Sequence, residues 1–113
     1  MPETFGERIR RIRTEKNLGL RETAKKAGIS PTFLSRVESA QERAVPAEDT
    51  IRRLAEAIGD DFNELMALAG RVPSDVKDYV SGDPKMPEFL RLAREQNVSA
   101  EDLIAMLRGQ GKR

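Results

Sequence analysis

The sequence contains neither cysteine nor histidine. Their absence removes disulfides, thiolate nucleophiles, imidazole acid–base catalysis and the usual zinc or transition-metal sites together. That argues against an enzyme and against a metal cofactor; no organic cofactor is expected either. A catalytic alternative built from Ser, Asp and Lys finds no GxSxG elbow, no phosphate-binding glycine loop and no carboxylate constellation apart from helix caps. Nothing in the chain approaches the roughly 20 consecutive apolar residues of a membrane helix. The first thirteen residues lack the apolar core of a secretory signal, so the expected compartment is the cytoplasm, with no membrane association. Strand-like alternation, internal repeats and low-complexity segments are also missing.

The sequence does have helical pattern from end to end. Its 113 residues suffice for one compact domain with an appendage, and its apolar fraction of 38% and charged fraction of 35% fit a globular chain. The net charge of +1 hides an asymmetry. Residues 1–43 carry an excess of four positive charges, residues 44–70 an excess of four negative charges, and residues 71–113 an excess of one positive charge. The basic end is the natural side for a polyanion, although extra arginines also occur on solvated helices.

Caps and breakers divide the chain into eight predicted helices. Thr4 with Glu7 three residues later is a capping box for a first helix that aligns Phe5, Ile9 and Ile12 and ends near Asn17. A second, about Leu20 to Ala27, is closed by Gly28. Ser30-Pro31, an N-cap followed by proline at the first helical position, opens a third that runs to about Ser39. After a polar loop to Pro46, Ile51, Leu54, Ala55 and Ile58 form the apolar stripe of a fourth helix stopped by Gly59. Asp61 caps a fifth with Phe62, Leu65, Met66 and Leu68. Beyond Pro73 come a sixth with Val76, Tyr79 and Val80, a seventh from Pro87, and an eighth capped by Ser99 with Asp102. Met66, Met86 and Met106 read as core filler.

The segment from Leu20 to Glu38 is the most informative. Ala24 is small where two helices would cross, Gly28 can take the left-handed turn, and Ile29, Leu34 and Val37 point inward to hold the third helix. Its outer face is left with Thr32, Ser35 and Arg36, short hydrogen-bonding groups and one long cation suited to base edges and phosphates. Arg8, Arg10 and Arg11 on the first helix read as a solvated face, with phosphate proximity open for one of them.

This stretch resembles the helix-turn-helix of the Xre family, the phage Cro and lambda repressor-like regulators. The similarity covers about residues 5–70 and rests on the Ala24-to-Gly28 spacing, the Gly28-Ile29-Ser30 turn, Leu34-Ser35 and Glu38. It implies an all-α fold: a five-helix helix-turn-helix domain over residues 4–70, with the motif at about 20–39, and a helical extension over 71–113. It also implies a sequence-specific regulator of transcription, a repressor by preference, whose third helix (about 31–39) enters the major groove of double-stranded DNA. A homodimer on an inverted repeat is the expected form. The candidate DNA-contacting residues are Arg21, Ser30, Thr32, Phe33, Ser35, Arg36, Gln41 and Arg43, and the resemblance further implies that Arg13 pairs with Glu38.

The sequence departs from the family pattern at several points. Leu20 stands where many phage repressors have a backbone-contacting glutamine, leaving Arg21 as the substitute. Thr23 stands at a usually apolar position, Phe33 at a frequent tyrosine, and Ala40 at a common glycine; the loop from Ser39 to Val45 is longer than usual. Residues 71–113 are too few for their own core. They must pack on the fourth and fifth helices, on a second chain, or on a protein partner; the last option would make the molecule an antitoxin or adaptor.

Overall fold

A computed structural model describes residues 3–40 and 45–110, and all secondary structure among these residues is helical. The helices are α1 (Phe5–Glu15), α2 (Leu20–Ala27), α3 (Pro31–Glu38), α4 (Glu48–Ile58), α5 (Phe62–Leu68), α6 (Ser74–Ser81), α7 (Lys85–Glu95) and α8 (Ala100–Gln110). The chain separates into two compact units, residues 1–73 and residues 74–113.

In the first unit each helix begins and ends for a local chemical reason. The Thr4 hydroxyl accepts from the Glu7 amide at 3.1 Å while the Glu7 carboxylate accepts from the Thr4 amide at 2.9 Å, closing the capping box of α1. Ser30 caps α3 through Phe33 N (3.0 Å), with Pro31 in the first turn, and Asp61 caps α5 through Glu64 N (3.0 Å). Gly28 and Gly59 end α2 and α4 at φ near +70°, the left-handed conformation that costs glycine little.

These helices enclose one core of Phe5, Ile9, Ala24, Ala27, Leu34, Val37, Ile51, Leu54, Ala55, Ile58, Leu65 and Met66. Each large aliphatic member contributes roughly 1.5–3 kcal/mol by leaving water. The stripe on α4 supplies Ile51, Leu54, Ala55 and Ile58, and α4 is the main support of α2. Gly6 lets α1 approach the end of α3 closely: a side chain there would drive into the Val37 carbonyl and sit 3.0 Å from that of Glu38. Leu20 is partly buried against the core, which accounts for its apolar character at the start of α2.

Polar links between distant segments lock this packing. The Arg8 guanidinium binds Asp60 twice, at 2.7 and 3.0 Å, and reaches Glu64 at 3.3 Å, joining α1 to the α4–α5 turn. This pair raises the pKa of Arg8 above its ordinary value, chiefly through the hydrogen bonds to Asp60. Lys16 Nζ donates to the carbonyls of Ile58 (2.6 Å) and Gly59 (3.3 Å) at the end of α4, where orphan carbonyls and the helix dipole favour a cation. Arg53 Nε donates to Ala27 O (3.0 Å), doing the same for α2, and the Arg52 guanidinium lies 4.0 Å from the Phe62 ring centre.

The second unit is built from α6, α7 and α8. Ser99 and Asp102 form the expected reciprocal cap, at 3.0 and 3.4 Å. Helix α7 starts at Lys85, two residues before the expected Pro87. First-turn amides have no intrahelical acceptor, so proline is tolerated there, and the Asp83 carboxylate accepts from Lys85 N at 2.9 Å. No residue described in this unit is buried. Phe89, Leu90, Leu92 and Ile104 are about half exposed and Leu107 is 69% exposed. The methionines divide accordingly: Met66 is core filler, whereas Met86 is only partly covered and Met106 is 59% exposed on the rim of an open pocket it shares with Phe89, Leu92 and Leu103, which α7 and α8 do not fill between them.

Candidate nucleic-acid interface

The turn between α2 and α3 is fixed from both sides. Gly28 takes φ +71°, its amide bonding back to Ala24 O and Lys25 O, and Ile29 N returns to Ala24 O at 3.0 Å. Ser30 then starts α3, whose inward side chains Leu34 and Val37 are buried while Ile29 and Phe33 pack partly against the core. The opposite face presents Thr32, Ser35, Arg36 and Ser39, all exposed. They lie at the i, i+3, i+4, i+7 spacing of one helical stripe.

Arg36 makes no ion pair among the described residues and projects from a helix held rigidly beneath it. Ser39 Oγ is turned to the helix, donating to Ser35 O at 2.9 Å. Arg21 is exposed in the first turn of α2, also without a described acidic partner. The Ser30 hydroxyl oxygen is occupied as a cap acceptor, leaving its proton free to donate outward. Phe33 offers only part of its ring to solvent. Gln41 and Arg43 lie outside the described residues.

The end of α3 is anchored to α1 by Arg13 and Glu38. The guanidinium donates to both carboxylate oxygens, at 2.8 and 2.9 Å, and to Leu18 O at 2.9 Å. Both side chains are nearly buried, 13% and 6% exposed. The hydrogen bonds to Glu38 raise the pKa of Arg13 above its ordinary value against the opposing effect of burial. This clamp fixes the rotation of α3 about its own axis and so the direction of its exposed stripe. Ala40, just beyond, has φ +61°, a conformation suited to the glycine that the family commonly places there.

Sequence reasoning missed the Arg8–Asp60 pair and the carbonyl caps from Lys16 and Arg53. Arg8 reads like its neighbours Arg10 and Arg11, and only the fold brings Asp60, 52 residues away, beside it. Arg11 is likewise taken up by carboxylates, Glu3 at 2.6 Å and Glu15 at 3.2 Å.

A scaffold of five helices that displays a rigid, polar, acid-free helix face after a glycine turn defines a helix-turn-helix DNA-binding domain. The model of a family described as a helix-turn-helix domain matches residues 6–71. The chain is 39% identical to the HTH-type transcriptional repressor RghR of Bacillus subtilis (strain 168), over 92% of this chain and 86% of the relative. It is 28% identical to the uncharacterized HTH-type transcriptional regulator RghRB of the same strain, over 79% of this chain and 66% of that one. Among solved structures it is similar to the clp gene regulator ClgR of C. glutamicum (25% identity, TM-score 0.50, 60% of this chain and 86% of that one). It also shares its fold with a chain of a SinR–SinI protein complex (23% identity, TM-score 0.52, 97% of both chains). The chain therefore belongs to the helix-turn-helix transcriptional regulators of the Xre type, a non-enzymatic family of DNA-binding repressors. No helix among the described residues is long and apolar enough to cross a membrane.

Proposed function

We propose that this protein is a sequence-specific repressor that acts in the cytoplasm as a homodimer on an inverted repeat of double-stranded DNA. The observation that carries the reading is the exposed stripe Thr32, Ser35, Arg36 on a helix whose other side is locked by Leu34, Val37 and the Glu38–Arg13 clamp. In this account α3, over residues 31–39, enters the major groove. Arg36 reads a base edge, Thr32 and Ser35 add short hydrogen bonds, and Phe33 makes apolar contact. Arg21, Ser30, Gln41 and Arg43 bind the backbone on either side, and occupancy of a promoter is sufficient for repression.

One recognition helix reads half a site, and two placed about 34 Å apart meet successive major grooves on one face of the duplex. Residues 4–70 form the DNA-reading domain and residues 71–113 supply the dimer contact. The uncovered apolar side chains of α7 and α8 support that assignment, since a helical pair without a buried residue gains stability only when a second surface covers it. The same surface favours a second reading in which a different protein occupies it. Light scattering at micromolar concentration separates the two: a dimer supports the homodimer, and a folded monomer favours the partner.

The site itself is tested with Arg36→Ala. The variant should keep the wild-type circular dichroism spectrum and melting temperature, because Arg36 has no described partner, while specific affinity falls by about 1–3 kcal/mol. Leu54→Ala serves as the folding control, since a cavity at this buried site should cost about 2–5 kcal/mol and abolish binding indirectly. Full operator affinity in folded Arg36→Ala contradicts the assignment.

A further inference from the structure

Beside the recognition helix, the first unit carries an open groove of about 600 Å³ between α1 and the end of α3, lined by Glu7, Arg10, Arg11, Thr14, Glu38 and Ser39 among others. Of the arginines on α1, Arg10 and Arg11 line the groove and Arg8 does not, and their ion pairs discriminate between them. Arg8 is held by Asp60 and Glu64, and Arg11 by Glu3 and Glu15. Arg10 is exposed and has no carboxylate partner among the described residues. Of the carboxylates that line the groove, Glu38 is neutralised by Arg13, whereas Glu7 gives one oxygen to the Thr4 amide and keeps its charge, one turn before Arg10 on the same helix.

The groove opens beside Ser39 and Ala40, at the C-terminal end of the exposed stripe of α3. From Thr32 to Ser39 the helix advances about 10 Å, comparable with the roughly 12 Å width of a major groove. When the N-terminal residues of α3 face base edges, its C-terminal end rises toward the lip of the groove, where the phosphates run. A cation on α1 next to Ser39 then meets the sugar–phosphate backbone rather than a base.

We propose that Arg10 is a phosphate contact of the DNA complex, a clamp on α1 that grips the backbone flanking the end of the recognition helix. The clamp compensates for Leu20, which is turned into the core and gives no polar contact at the start of α2. The assignment rests on the DNA-binding reading above and deepens it. Arg10 adds affinity that is blind to sequence, whereas Arg36 adds discrimination.

The test is fluorescence anisotropy of the full chain with two labelled duplexes, a selected operator and a scrambled sequence, from 50 to 200 mM salt. Loss of one phosphate contact releases one fewer set of counterions, so Arg10→Ala should lower the slope of log affinity against log salt by about 0.9 for each clamp lost. It should weaken both duplexes by the same factor, about tenfold at the lowest salt, leaving their ratio unchanged. Arg10→Lys, which keeps the charge, should restore most of the slope, and the melting temperature of both variants should match wild type. An unchanged slope in Arg10→Ala with wild-type DNA binding intact overturns the clamp and leaves the DNA-binding reading standing. So does a loss confined to the operator, which would make Arg10 a base contact. Failure of the wild-type chain to bind either duplex overturns both.

Discussion

Replacing Arg13 by Met tests how α3 is held against α1. The substitution keeps most of the aliphatic bulk and removes three hydrogen bonds, two to Glu38 and one to Leu18 O. It leaves the Glu38 carboxylate, 6% exposed, without its counter-charge. Breaking one partner of such a buried pair costs about 3–5 kcal/mol, because the remaining charge has lost both water and its cation. A unit of this size has a total stability of roughly 4–11 kcal/mol, so the single variant should lose about 12–40 °C in melting temperature. Glu38→Met should cost somewhat less, since the longer arginine side chain, less deeply buried than Glu38, can swing its guanidinium out to solvent. The double variant should recover much of the loss, as apolar side chains replace the pair. Urea unfolding of the four proteins followed by circular dichroism closes the cycle, with an expected coupling of at least about 2 kcal/mol. Single losses below about 0.5 kcal/mol that simply add would refute the reasoning and reduce the pair to a surface contact.

Other consequences are smaller and as specific. Thr23 is buried with its hydroxyl unpaired; Thr23→Val keeps the shape and should stabilise by about 1 kcal/mol in thermal melts, whereas a lower melting temperature would mean that the hydroxyl has a partner such as a buried water. Ala40→Gly should gain roughly 1 kcal/mol by relieving a left-handed alanine at φ +61°, and a destabilised variant would contradict that strain. The hydrogen bond from Arg11 lowers the pKa of Glu3 below the ordinary 4.5. Its folded form thus binds a proton less readily than the unfolded chain, so this stabilisation is complete above about that pH and disappears as the solution is acidified through the lowered value. Glu3→Gln should therefore narrow the gap in melting temperature between pH 7 and pH 3, and an unchanged gap would remove the pair from the acid limb.

What was legible in the sequence was legible because it is local. The Thr4–Glu7 box, Gly28, Ser30-Pro31, Gly59, Asp61 and the Ser99–Asp102 pair each act within three or four residues, and they delimit the helices the structure contains. The apolar stripe of α4 was equally readable from its period. Arg8, Arg10 and Arg11 were not separable, since three adjacent arginines have one composition and three different fates once Asp60, Glu64 and Glu3 arrive from elsewhere in the chain. Arg53 and Lys16 carried no signal at all: their acceptors are main-chain carbonyls 26 and 42 residues away. The early start of α7 escaped because Pro87 can occupy the first turn as well as the first position. For the candidate interface, the shared exposed face of Thr32, Ser35 and Arg36 followed from the 3.6-residue period, but its orientation depends on the Arg13–Glu38 clamp, a contact between helices.

The most direct test of the central claim is selection of bound sequences by the purified protein from a pool of random duplex DNA. The account predicts enrichment of an inverted repeat with half-sites about one helical turn apart, lost in Arg36→Ala. Recovery of no enriched motif by the folded wild-type protein, at low salt as well as at physiological salt, would contradict it.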